Sequence, residues 1–596
     1  MEVRNRNEMN PEYQWKLEDI FKTAAVWEEA FQTATDMTDQ LLEIAGTLTQ
    51  SKEKLKDGLD RIYQCAEQVE KVYLYAMLRK SGDNGDAQAQ EMESRAMNLY
   101  VRYSAAVSFV DPEILSIDDE TMKAWLQDPL LAEYHHILED IDRQRPFTLS
   151  KDQEKMLSLL TDVTGTPDNV FTMLESVDMT FPDIAGENGE TLPLTHGSYE
   201  VYRSSADRKI REKAFEAYFG EFKRLINTIA AAYTGSVKAD NYMAKVRGYG
   251  SALERSLAGN NVPVSVYDSL TETVRKGLGT MERYLMLRRK LLGVDVLHMY
   301  DLYCPIVEPV QYDLSLDGAK DLVKKALMPL GEEYQSLLDR AFRENWMDVY
   351  ENKGKTTGAF SCGVYGVHPF VLLNFTGTLD DVFTIAHELG HSMHSYFSSR
   401  ENSYANHDYR ILVAEVASTV NENLLTQYLL KHETEPHRRA YILNHFLESF
   451  RTTVFRQTLF AEFERTVHEM DQNGVPLTAD SMSRVYRELN EAYYRGVEVD
   501  PLQDIEWARV PHFYNAYYVY QYATGFCSAV AIANRILKTG DPSDYFRFLS
   551  SGGSDYPLEE LKIAGIDLTR PEVTTEALEV FDQTLSELEL ILGVES

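Results

Sequence analysis

Along most of the 596-residue chain, apolar residues recur at intervals of three and four. That is the spacing of a helix with one buried stripe. From Asp19 to about Arg102 these residues sit among many Glu, Gln, Ala and Lys, as in LDRIYQCAEQVEKVYLYAMLRK (59–80). Val110–Asp128 and Leu130–Gln144 read as shorter helices, punctuated by Asp-Pro steps at 111–112 and 128–129. The pattern changes in two places. In MTFPDIAGENGETLPLTHG (179–197), alternation on each side of Gly186-Glu187-Asn188-Gly189 predicts a β-hairpin. The stretch TTGAFSCGVYGVHPFVLLNFTG (356–377) is rich in Gly and β-formers and predicts two or three short strands. After Gly377 the helical texture returns nearly to the end. The expectation is a large, mostly α protein with one small β element. It has an all-helical N-terminal region over 1–195, with a second sub-part from about 112 and the hairpin at its end, and a long helical region over 196–596. No repeat of fixed period and no low-complexity tract is present.

Composition narrows the function. Hydrophobic residues make up 44% and charged residues 26%, which suits a globular chain with a sizeable core. Lys+Arg number 59 against 94 Asp+Glu, a net charge of −35. That excess disfavours a nucleic-acid partner and an anionic membrane surface. Four scattered cysteines without CxxC spacing suit a reducing compartment. The N-terminal stretch has no apolar core of a secretory signal, and no run approaches 18 apolar residues. A soluble, cytoplasmic protein with no membrane partner is expected.

The informative stretch runs from Thr378 to His394. Thr378 is a plausible N-cap, with Asp380 and Asp381 in the first turn, where negative charge complements the helix dipole. Four residues turn a helix by about 400°, so His387 and His391 share one face a turn apart and can converge on one zinc ion. Glu388 beside them can take a proton from water. Phe383, Ile385, Ala386, Leu389 and Met393 flank the motif and imply a buried helix. Polar groups buried there need partners. A catalytic zinc takes three protein ligands. His394 is a candidate third ligand, but it lies seven residues from His387, a rise of about 10.5 Å. Glu415, in ILVAEVASTVNENLL, is favoured: a neighbouring helix could bring it back to the metal, leaving His394 behind the ligands or facing substrate. A second cluster, His512 to Tyr522, holds five tyrosines (514, 517, 518, 520, 522) whose positions surround a helix. A phenol or imidazole from it could donate to a developing oxyanion. Aromatic core packing is the plain structural alternative.

AHELGHSMH (386–394), EVAST (415–419) and HFYNAYYVYQYATG (512–525) together resemble the thimet oligopeptidase family of zinc metallopeptidases, in its bacterial oligoendopeptidase F branch. WKLEDIF (15–21), YRSSADRKIREKAFEAY (202–218) and GAFSCGVYGVHPFVLLNF (358–375) extend the resemblance over nearly the whole chain. It implies a two-lobed helical fold with a deep central channel, residues 196–596 being the catalytic domain. It further implies one Zn²⁺ per chain on His387, His391 and Glu415, Glu388 as general base, and His512, Tyr517 and Tyr520 on the substrate carbonyl. Tyr514 and the segment Gly358, Ala359, Phe360 would hold an oligopeptide, the latter by adding it to a sheet edge. The implied activity is endopeptidase cleavage of short unfolded oligopeptides. Two other readings are a zinc exopeptidase of the dipeptidyl carboxypeptidase type and a non-catalytic helical binding protein.

Overall fold

The computed structural model describes residues 4–310, 312 and 314–594. The chain is mostly α-helical, and its strands are two or three residues long. No helix among the described residues is long and apolar enough to cross a membrane. Two compact units emerge. One gathers Met1–Thr148, Gln311–Tyr428 and Ile532–Ile566; the other gathers Leu149–Val310, Leu429–Ala531 and Asp567–Ser596. The boundary anticipated at 195 lies inside the second.

In the first unit, helices Ala24–Leu41, Lys52–Gly82 and Ala87–Ala106 pack together. Their apolar stripes meet in a core holding Trp27, Leu55, Leu59, Ile62, Val69, Val72, Met92 and Leu99. Trp27 donates its indole N–H to the Val72 carbonyl at 2.9 Å, so the largest side chain there is also satisfied. The pattern over 110–144 breaks into shorter pieces than anticipated: Val110–Ile114, Asp119–Leu126, a 3₁₀ turn Pro129–Tyr134, and His135–Arg143. The side chains of Asp118 and Asp128 accept from the Thr121 and Leu130 backbone N–H groups, so each aspartate starts a new helix instead of continuing the old one.

The small β element of this unit has three strands: β1 (Met347–Asp348), β2 (Phe360–Cys362) and β3 (Phe370–Leu372), in the order β1-β3-β2. β1 runs parallel to β3, and β2 antiparallel, with Ser361 opposite Val371. Phe370 and Leu372 pack with Trp15, Leu78 and Val364, which fastens the sheet to the Lys52–Gly82 helix. β2 is therefore an edge strand.

The second unit is built around a 40-residue helix, Arg208–Arg247, ended by Gly248 in the left-handed conformation. Against it pack Arg456–Gln472, the 3₁₀ segment Gln503–Arg509 and Thr166–Met173. Ile184–Ala185 pairs antiparallel with Thr191–Leu192 across Gly186–Gly189. Gly189 sits at φ 82°, the left-handed turn position that favours glycine.

Candidate metal centre

The helix Leu379–Glu401 begins with a reciprocal cap. The Thr378 side chain accepts from the Asp381 N–H at 3.2 Å. Asp381 Oδ2 in return accepts from the backbone N–H groups of Thr376, Gly377 and Thr378. Burial pushes the Asp381 carboxyl up, but these donors outweigh it and hold it below its usual range.

The second helix, Ile411–His432, crosses the first at Gly390. A β-carbon placed on Gly390 would lie 2.5 Å from Ser418 Cα, 2.7 Å from the Ala417 carbonyl oxygen and 2.8 Å from Ser418 N. Only glycine lets the two backbones meet there. Asn421 secures the crossing: its amide donates to the Ala386 carbonyl at 2.9 Å, and its side-chain oxygen accepts from the Tyr334 hydroxyl at 3.0 Å.

This crossing brings His387, His391 and Glu415 together, one ligand atom from each lying within 4.8 Å of the others. His391 Nε2 is 3.2 Å from His387 Nε2. Glu415 Oε2 is 3.5 Å from His387 Nε2 and 3.7 Å from His391 Nε2. Ligands 2.0–2.1 Å from a tetrahedral zinc stand about 3.3–3.4 Å apart, so the triangle has the size of one tetrahedral face. The chemistry agrees. His387 Nδ1 is 2.8 Å from Glu422 Oε1, and an ionised carboxylate only accepts, so that nitrogen carries the proton. His391 hydrogen-bonds the Ala414 backbone in a way that favours a protonated, donating nitrogen. In the neutral rings the two Nε2 atoms then face each other as lone pairs beside a carboxylate, an arrangement that calls for a cation between them.

The carboxylates around the pair favour positive charge at this spot. Burial alone would lower His387, but Glu422, Glu388 and Glu415 outweigh it and raise it to about 9. His391 is pushed down to about 3 by burial and by the neighbouring imidazolium, so the pair accepts one positive charge, not two. Burial pushes the Glu388 carboxyl up to about 7; His387 opposes this, while Glu415 and Glu422 add to it. Glu388 is only 7% exposed. A carboxyl poised there exchanges a proton near neutral pH.

Glu422 is the residue that sequence reasoning missed. It lies seven positions after Glu415, two helical turns on and hence on the same face, which is the signal that could have found it. His394 lies outside the triangle. It is 1% exposed and stacks on Tyr409, ring centroids 3.6 Å apart and planes 7° from parallel.

The β2 edge is tied to the same helix. Ser361 Oγ lies 2.8 Å from Ser392 Oγ, and Ser392 donates to the Glu388 carbonyl at 2.9 Å. Asn374 donates to the carbonyls of Thr356 and Gly358 and fixes the turn leading into the strand. Gly358, at φ 78°, is exposed; Ala359 and Phe360 are half-buried.

The 512–522 stretch lies in the second unit and is not the helix its pattern suggested. A 3₁₀ turn spans Pro511–Tyr514, and the α-helix starts only at Tyr520. Between them Tyr517 sits at φ 60°, and its N–H donates to Glu464 Oε1 at 3.0 Å. That buried acceptor holds a left-handed residue, which breaks the helical ladder. Tyr517 and Tyr520 are buried, with their rings against Tyr267. Tyr514 stacks on Phe171 at 4.7 Å. His512 is exposed, and its near rings are Tyr518 at 5.9 Å and Tyr522 at 6.1 Å.

Sequence comparison supplies the remaining finding. Residues 201–580 match the profile of peptidase family M3, and residues 113–181 match the N-terminal profile described as oligopeptidase F. Oligopeptidase PepF of Bacillus subtilis (strain 168) is 41% identical over 595 residues, covering 99% of this chain and 89% of that protein. Group B oligopeptidase PepB of Streptococcus agalactiae is 39% identical over 594 residues, covering 99% and 98%. Among solved structures, oligoendopeptidase-F from Enterococcus faecium superposes with a TM-score of 0.75 at 38% identity, covering 95% of this chain and 98% of that one.

Proposed function

The chain belongs to peptidase family M3, and from that membership and the His387–His391–Glu415 triangle we propose that it is a zinc-dependent endopeptidase of short, unfolded oligopeptides. The observation that carries the reading is the triangle itself: three ligand atoms 3.2–3.7 Å apart, two of them imidazole nitrogens and the third a carboxylate oxygen. Its donor set, two imidazoles and one carboxylate, is that of a catalytic zinc site with an open position. A zinc ion held there supplies Lewis acidity, which makes water nucleophilic near neutral pH and polarises a carbonyl.

The chain's own groups have separate tasks. Glu388 removes the proton from the attacking water and returns it to the leaving amine, a general base that becomes a general acid. Glu422 holds His387 in the tautomer that leaves Nε2 free. Gly358, Ala359 and the β2 edge offer backbone groups to an extended peptide, which joins the sheet as a further strand. The resemblance assigns oxyanion donors to the 512–522 stretch. His512 takes that role together with a tyrosine. Tyr518 and Tyr522, whose rings lie 5.9 and 6.1 Å from its imidazole, are added to Tyr517 and Tyr520 as candidates. Losing one such donor costs about 10²–10³ in rate.

The test is Glu388→Gln. The variant should bind zinc like the parent and leave a bradykinin-sized peptide uncut. Parental turnover in that variant would remove the mechanism.

A further inference from the structure

The second unit encloses a small arginine-lined cavity of about 20 Å³. Arg203, Arg451, Arg456, Arg509, Tyr303 and one acidic residue, Glu506, help to line it. Partners behind the wall do not balance the charge. Arg451 pairs with Glu448, but that carboxylate also serves Arg288. Glu200 is shared between Arg203 and Arg509, at 3.5 Å from the latter. Glu506 accepts from Arg456 at 2.6 Å, and its other oxygen is taken by the Tyr486 hydroxyl and the Gln503 amide. Five arginines thus depend on three carboxylates. The Arg451 side chain is fully buried, and its Nη1 has no protein partner. A buried guanidinium that shares its carboxylate and keeps an unpartnered N–H group is costly unless something more meets it.

We propose that this cavity is a binding site for a halide-sized inorganic anion such as chloride, held by Arg203, Arg451, Arg456 and Arg509. Size sets the class: about one probe-sized space takes a water or a monoatomic ion, not a phosphate or a peptide carboxylate. Guanidinium groups are the natural partners of a buried anion because they stay charged and are weakly hydrated. The local chemistry already favours negative charge. Burial pushes the Tyr303 phenol up, yet Arg456, Arg451 and Arg203 outweigh it and bring it down to about 8. Arg203 lies over that ring at 3.6 Å and Arg451 at 4.6 Å. The site would also brace the chain before His512, since Arg456 holds Glu506 and Arg509 ends the same 3₁₀ segment.

The full-length protein, dialysed into sodium gluconate, is titrated with sodium chloride at constant ionic strength. Chloride NMR line width and the thermal midpoint are followed. The expected result is saturable broadening, reversed by bromide but not by sulfate, with a saturable rise in the midpoint. Arg509→Gln and Arg203→Gln, both on partly exposed side chains, should each weaken apparent chloride affinity about tenfold or more, the loss of a charged hydrogen bond. Tyr303→Phe should bind chloride at least as well as the parent. Indistinguishable chloride and gluconate titrations would overturn the proposal. So would a phenolate absorption that titrates near neutral-to-alkaline pH and vanishes in Tyr303→Phe without any chloride effect, because Tyr303 itself would then be the anion.

Discussion

Replacing Gly390 with alanine tests how the metal triangle is built without touching a ligand. The added β-carbon would meet three backbone atoms at 2.5, 2.7 and 2.8 Å, none of which can rotate away. Carbon contacts settle at about 3.5–4.0 Å, so the helices Leu379–Glu401 and Ile411–His432 must part by about 1 Å. Overpacking of this kind costs about 1–3 kcal/mol. The better helix propensity of alanine returns about 1 kcal/mol, but the 2.9 Å bond from Asn421 to Ala386 is stretched, for a loss of about 1 kcal/mol. A net destabilisation of about 1–3 kcal/mol is expected. The effect on metal is larger. Ligand distances tolerate shifts of only about 0.2 Å, and Glu415 rides on the helix that moves. Zinc affinity, measured by competition with a chelator, should fall at least tenfold, and peptide cleavage at limiting zinc should fall with it. Denaturant unfolding of the metal-free protein gives the stability term separately. A Gly390→Ala protein with parental zinc affinity and an unchanged unfolding midpoint would refute the close-crossing argument.

Other substitutions separate the roles around the triangle. Glu422→Gln, which weakens the acceptor of His387 Nδ1, should lower zinc affinity about 10–100-fold, and Glu422→Ala should do so more; parental affinity in both would deny Glu422 its orienting task. Glu415→Ala should lose zinc more readily than His394→Ala, which should instead lower the unfolding midpoint because it removes a ring stacked on Tyr409; the reverse order of metal content would make His394 the ligand. Unfolded casein should be cut far more slowly than an oligopeptide of bradykinin length, and equal rates would remove the restriction to short substrates.

Much of the candidate site is legible in the sequence because it is local. His387 and His391 lie one turn apart on one helix, and the acidic first turn and the Thr378 cap announce where that helix begins. Glu415 stands out as a carboxylate in apolar surroundings. Glu422 does not, since a glutamate on a helix ordinarily reads as solvated, and only the crossing at Gly390 turns it towards His387. Gly390 itself was silent, because a glycine within a helix shows its purpose only when the neighbouring backbone is in view. The aromatic wealth of 512–522 was visible, but its conformation was not. The left-handed Tyr517 depends on Glu464, more than fifty positions earlier, and no local period encodes that acceptor. The same limit applies to the two compact units, each assembled from three separate stretches, whereas hydrophobic spacing reports only on neighbours along the chain.

The most direct test joins metal analysis to product analysis. Purified protein is assayed for zinc content and then incubated with an oligopeptide blocked at both ends, with and without a chelator, and the products are read by mass spectrometry. The account predicts one zinc per chain, cleavage at internal bonds, loss of cleavage on chelation and its return with added zinc. A zinc-loaded protein that leaves every short peptide intact, or cleavage that continues undiminished with the metal removed, would contradict it.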